Sequence, residues 1–132
     1  MFGFHRANGR KNAPAIITVP STASTTYHVG DALVLTSGAA TKAGATAKPT
    51  HICAQEYVAP ATGNQPIAVY PVLDGYEWKT TFAATPTGIV AGSKVTIHTD
   101  SAQVTATTAS GVAEVVDMYG AKASGDEVIV KF

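Results

Sequence analysis

The sequence predicts an all-β fold: one small β-barrel or sandwich of about eight short strands, preceded by an extended N-terminal arm. Three observations carry this expectation. Among 132 residues there are 14 valines and 7 isoleucines but only three leucines, Leu33, Leu35 and Leu73. β-branched side chains fit pleated sheets, whereas leucine is the usual filler of helical cores. Second, one turn-plus-strand pattern occurs three times, as Gly30-Asp31-Ala32-Leu33-Val34-Leu35, Gly92-Ser93-Lys94-Val95-Thr96-Ile97 and Gly125-Asp126-Glu127-Val128-Ile129-Val130. Third, turn residues recur at short intervals along the chain, as all-β domains require. A chain of this length buries one core, so a single domain is expected, with residues 1–26 as arm and short leading strand and 27–132 as the barrel.

The elements follow in order. Residues 1–13 combine Gly3, Gly9 and the cations Arg6, Arg10 and Lys11 with no sustained periodicity, and read as a mobile arm. Phe2 and Phe4 are its only aromatics and would serve as apolar anchors on a partner. A short strand, Ala15 to Val19, and a Ser/Thr linker come next. In each repeated pattern the third and fifth residues after glycine share a face, so Leu33 and Leu35, Val95 and Ile97, and Val128 and Val130 should line a common core. His51 to Val58 reads as one strand. Ile67 to Leu73 and Tyr76 to Phe82 flank Asp74-Gly75, a hairpin signal, with Pro71 marking an edge or a bulge. Trp78, Thr80 and Phe82 fall on one face of the second strand, and Glu77, Lys79 and Thr81 on the other. Ser101 to Ser110 should add a strand and a turn. Val112 to Tyr119 could be two helical turns, but its β-branched content favours a strand.

Charge is sparse and balanced, nine basic against nine acidic side chains, which removes the electrostatic footprint of a nucleic-acid binder. The balance is uneven: residues 1–11 hold three cations and no acid, a basic leader on a mildly acidic body. One cysteine, Cys53, excludes an intramolecular disulfide, fits a reducing compartment and, among apolar neighbours, reads as buried and inert. No secretory signal or membrane span is expected.

Catalytic and cofactor chemistry find little support. His5, His28, His51 and His98 are too widely spaced to pair as zinc ligands, and no metal or cofactor is expected. His98-Thr99-Asp100 could orient an imidazole, but no nucleophile elbow accompanies it. There is no phosphate-cradling glycine motif, and neither Lys42 nor Lys48 has the neighbours of a lipoyl or biotinyl attachment site. Trp78 and the tyrosines could stack a sugar, although the alternation places Trp78 on the core face.

Taken together, Val29-Gly30-Asp31-Ala32-Leu33-Val34-Leu35, Pro49-Thr50-His51-Ile52-Cys53-Ala54-Gln55-Glu56, Val90 to Ile97, Gly111 to Val116 and Gly125 to Phe132 resemble, in that order, the small β-barrel decoration (cement) proteins of tailed-phage capsids. The resemblance covers Tyr27 to Phe132. It implies a structural, non-enzymatic virion protein, made in the host bacterial cytoplasm, that binds the capsid exterior at junctions between major capsid proteins and stabilises the shell. It also implies a homotrimer and brings no catalytic residues. The first 26 residues match no motif of that family, so a docking role for Phe2, Phe4, Arg6, Arg10 and Lys11 rests on their chemistry alone. The alternatives are another phage structural β-module, such as a tail, baseplate or head-fibre anchor component, or a carbohydrate- or ligand-binding barrel.

Overall fold

Twelve short strands and no helix make up the computed structural model, which describes all 132 residues. In chain order they are β1 (Gly3–Ala7), β2 (Ile17–Pro20), β3 (Thr26–Tyr27), β4 (Ala32–Thr36), β5 (Ala39–Lys42), β6 (His51–Cys53), β7 (Tyr57–Val58), β8 (Pro66–Pro71), β9 (Tyr76–Thr81), β10 (Lys94–Val95), β11 (Ala113–Asp117) and β12 (Glu127–Lys131). They form a five-stranded first sheet, β1-β9-β12-β11-β10, a five-stranded second sheet, β2-β8-β6-β4-β5, and the ribbon β3-β7. Every paired strand is antiparallel. Neither large sheet closes, so the architecture is sandwich-like and not the barrel that was one reading of the sequence. The second sheet comes nearest to closure, through an isolated bridge between Ser21 and Ala40.

Two cores lie on opposite faces of the second sheet. The larger contains Phe2, Ala32, Ile52, Trp78, Phe82, Val95, Ile97, Val104, Val115, Val128 and Val130, between the two large sheets. The smaller gathers Val19, Tyr27, Leu33, Ala40, Cys53, Ala59, Ile67 and Val69 beneath the β3-β7 ribbon. Alternation along β4 and β6 explains the division: Ala32 and Ile52 face the larger core, and their neighbours Leu33 and Cys53 face the smaller one. Hence Val95, Ile97, Val128 and Val130 share a core as expected, but Leu33 belongs to the other. Leu35 joins neither and is 43% exposed, although its cross-strand partner Ala40 is buried in the smaller core.

Several strands depart from the sequence reading. His51 to Val58 divides into β6 and β7, which lie in different sheets. Asp74-Gly75 does form a turn, closed by the Tyr76 N–H donating to the Leu73 carbonyl. Yet the strands it joins, β8 and β9, belong to different sheets, so it is a corner and not a hairpin. Ser101 to Ser110 forms no strand; Val104 alone bridges to Phe82 and Ile97. Ala113 to Asp117 is a strand with a bulge, as its β-branched residues favour.

The largest departure is the arm. β1 is the edge strand of the first sheet and β2 the edge strand of the second, so the expected boundary at residue 26 separates nothing. The chain reverses after β1 at Asn8-Gly9, where Ala7 and Arg10 exchange backbone hydrogen bonds and φ is 49° and 77°. Positive φ at both central residues is the geometry of a two-residue hairpin turn. Gly30, at φ 85°, serves a second need: its carbonyl accepts from the Phe2 N–H, and a side chain there would strike Met1 and Phe2.

Candidate docking surface

The proposed docking residues separate into two groups. Phe2 is 2% exposed, with its ring 5.5 Å from that of Phe132 in an edge-on contact. Phe4 stands edge-on to Tyr76 and Trp78, with ring centroids 5.9 and 5.8 Å away. Both aromatics therefore pack within the protein's own fold and are not free anchors. The Arg6 Nε donates to a Glu77 carboxylate oxygen across the β1–β9 pair. Arg10 and Lys11 remain exposed and form no ion pair. The aromatic character of the arm was legible in the sequence, but its partner Trp78 lies far along the chain. The Asn8-Gly9 turn, which brings β1 into register, was missed, although Asn-Gly is a strong two-residue turn signal.

Opposite its core, the first sheet carries a lattice of charge. Antiparallel register sets Lys94 beside Glu114 and Glu114 beside Lys131, across β10, β11 and β12. The β12–β9 register places Val130 opposite Trp78, which brings Lys131 next to Glu77, itself paired with Arg6. The row thus alternates cation and anion over all five strands. Lys131 Nζ lies 3.1 Å from Glu114, and one turn of the pleat away Lys79 Nζ lies 2.8 Å from Glu127. At the β10 end an open cleft of about 340 Å³ is lined by Lys48, Lys94, Lys131, Glu114 and Phe132.

The surface around the smaller core is different. Residues 12–73 hold only four charged side chains, Asp31, Lys42, Lys48 and Glu56. Asp31 is buried and paired with Lys42 at 3.0 Å, and its Oδ2 accepts from the His28 N–H. The carboxylate of Glu56 accepts from the Val29 N–H and contacts His28 Nδ1, and the backbone hydrogen bond leads in holding its pKa below the usual range. Apart from these pairs and Lys48, which is exposed and lines the cleft at the β10 end, this part of the chain carries no charge and exposes Ile16, Ile17, Leu35 and Val58.

The remaining candidates stay apart. Cys53 is buried in the smaller core, and burial is the main reason its thiol pKa is raised. His98 Nδ1 is 3.3 Å from Asp100, but the neighbouring Ser101 is buried and donates its hydroxyl to the Ala43 carbonyl. Trp78 is fully buried and offers no stacking platform. No three His, Cys, Asp or Glu side chains gather as a metal cluster. No helix is long and apolar enough to cross a membrane. No protein-family model matches the chain, and no curated protein matches it.

Proposed function

We propose that this is a structural protein of a phage particle, a decoration protein that binds the outside of the capsid and reinforces it without catalysing a reaction. The observation that supports this reading is the segregation of charge. One broad face is charged and internally paired, while the lobe around the smaller core is almost free of charge and exposes isolated aliphatic side chains. The buried centres of protein interfaces are depleted in charged residues, whereas solvated faces tolerate paired ions. The low-charge lobe is therefore the side that docks, at junctions between major capsid proteins, and the charged sheet faces solvent. Each copy would bury surface on more than one capsid subunit, so separating the subunits would also break the decoration contacts. Repetition over a shell turns modest contacts into high avidity. The same arrangement serves a tail or baseplate module equally well, and the order of motifs resembling decoration proteins favours the capsid.

The test is competition between the wild type and charge-insertion variants for undecorated capsids. Leu35→Lys and Val58→Lys place unpaired cations on the low-charge lobe, at side chains already exposed. Both should lower occupancy at least tenfold while leaving the fold intact by circular dichroism. Exchanging the pair on the other face, Lys79→Glu with Glu127→Lys, should leave occupancy unchanged. Equal occupancy by all the variants, or loss only in the exchanged pair, would reject this docking face.

A further inference from the structure

We infer that the groove beside Tyr119, on the charged face of the first sheet, is a binding site for a neutral hexopyranose unit of a glycan. The groove is an open cleft of about 430 Å³ lined by Gly3, Phe4, His5, Lys79, Tyr119 and Glu127. Pockets for small ligands span roughly 300–1,000 Å³. The cleft continues past Tyr119 and Glu127 toward Asp126, and past Gly3 and Lys79 toward Met1, because the adjoining hollows share those residues. Register creates the space: Gly3 stands opposite Lys79 on this face and has no side chain to fill the place beside it.

Folding does not account for a tyrosine at position 119. Tyr119 is the one exposed aromatic side chain among the chain's ten, at 58%, and belongs to neither core. It holds the first position of a two-residue turn, Tyr119-Gly120, closed by the Ala121 N–H donating to the Met118 carbonyl. Its φ is 48° and that of Gly120 is 76°. Asn8-Gly9 makes the same turn, at 49° and 77°, with the asparagine that such a position favours. A bulky side chain at positive φ strains the backbone, and strain of this kind concentrates at functional positions. Neither the turn nor a core therefore asks for an aromatic ring here. A ring beside a polar cleft serves recognition, with an apolar face and a hydroxyl at its tip.

The polar groups select the ligand. Lys79 Nζ lies 2.8 Å from Glu127 Oε1. That pair leaves Lys79 two further N–H donors and leaves Glu127 its Oε2 as an acceptor. Neighbouring hydroxyls of a sugar accept from the one and donate to the other, while the C–H face of the ring packs on Tyr119. An anion meets no unpaired cation, since Lys79 pairs with Glu127 and Arg6 with Glu77. A cation meets no free carboxylate, since Asp117 and Asp126 accept backbone N–H groups of their own turns. An apolar ligand would bury the Lys79–Glu127 pair without satisfying its remaining hydrogen bonds. A neutral ring bearing hydroxyls meets all three conditions. This inference concerns the isolated chain and stands independently of the capsid reading. The groove lies outside the proposed docking lobe, so one copy can make both contacts.

The experiment titrates the methyl pyranosides of glucose, galactose, mannose and N-acetylglucosamine, at millimolar concentrations, into the isotope-labelled full chain and follows its amide resonances. At least one sugar should give saturable shifts at Gly3, Lys79, Tyr119 and Glu127. Tyr119→Asn supplies the residue that the turn favours, so it should keep or raise the melting temperature while weakening binding by about tenfold, the upper end for one aromatic contact. Gly3→Leu should fill the hollow and abolish binding. A Cβ at Gly3 meets nothing nearer than the Lys79 carbonyl oxygen at 3.9 Å, so that variant keeps the fold. Lys131→Gln, on the same face but outside the groove, should bind as the wild type does. Absence of a saturable shift with every one of these sugars would overturn the inference, as would undiminished binding by Tyr119→Asn. Saturation by glucuronic acid alone would make the site anionic and overturn it too. A marked fall in the melting temperature of Tyr119→Asn would make the tyrosine a structural residue, with the same consequence.

Discussion

Truncating Phe4 removes a ring that stands edge-on to both Tyr76 and Trp78. Truncating Phe2 opens a cavity in the larger core. Phe2→Ala should cost about 3–5 kcal/mol, the range for a buried aromatic, and Phe4→Ala somewhat less because it is only partly buried. Denaturant titration followed by Trp78 fluorescence measures both, and unchanged midpoints would mean that the N-terminal strand is not part of the cooperative fold. Gly30→Ala should destabilise by about 1–3 kcal/mol, since it combines a strained φ with a clash against Met1 and Phe2. Cys53 should resist thiol reagents near pH 8 and react on unfolding, because burial raises its pKa and shields it. Rapid labelling of the native chain would contradict that placement. The burial of Cys53 was legible from its apolar neighbours. The fate of Phe2 and Phe4 was not, because a residue's exposure at a chain end depends on a strand many positions away.

Elements were legible where period and turn chemistry agreed. Trp78, Thr80 and Phe82 face the core because β9 alternates without interruption. The glycine turns before β4, β10 and β12 were likewise foreseen, and all three glycines have positive φ. Sheet membership was not foreseen. A turn signal such as Asp74-Gly75 specifies a reversal, but not whether the next strand pairs with the last or crosses to another layer. Nor could alternation alone reveal a sheet buried on both faces, which sends Leu33 and Ala32 to different cores. The turn before β12 carries a pH dependence. Asp126 accepts from the Lys122 and Ala123 N–H groups, and those bonds hold its pKa below the usual carboxylate range. Val29 does the same for Glu56, assisted by His28. A depressed folded pKa gives stability that is complete above the unfolded value, about 4, and is lost as pH falls through the folded value. Burial likewise lowers the pKa of His51, so melting temperature should begin to decline below about pH 6.5 and fall further below pH 4, with a shallower acid limb in Asp126→Asn. The same slope in both proteins would show that this carboxylate contributes nothing.

At the scale of the molecule, the sequence reading located a basic leader but not the segregation of charge. Lys94, Glu114, Lys131, Glu77 and Arg6 are scattered in sequence and become a row only when five strands are in register. Because these pairs are largely exposed, neutralising one, as in Lys131→Gln, should change stability by no more than about 0.5 kcal/mol. A larger loss by denaturant titration would make the row a structural element and not simply a solvated face. The low-charge lobe is where the proposed capsid contact takes place. Electron cryo-microscopy of the particle that carries this protein tests the central claim most directly, at a resolution that traces the strands. The expected map seats the lobe around Leu33, Cys53 and Val69 against the shell, with Lys79, Glu127 and Lys131 pointing to solvent. A map with the charged sheet against the shell, or with no copy on the capsid, would contradict the account.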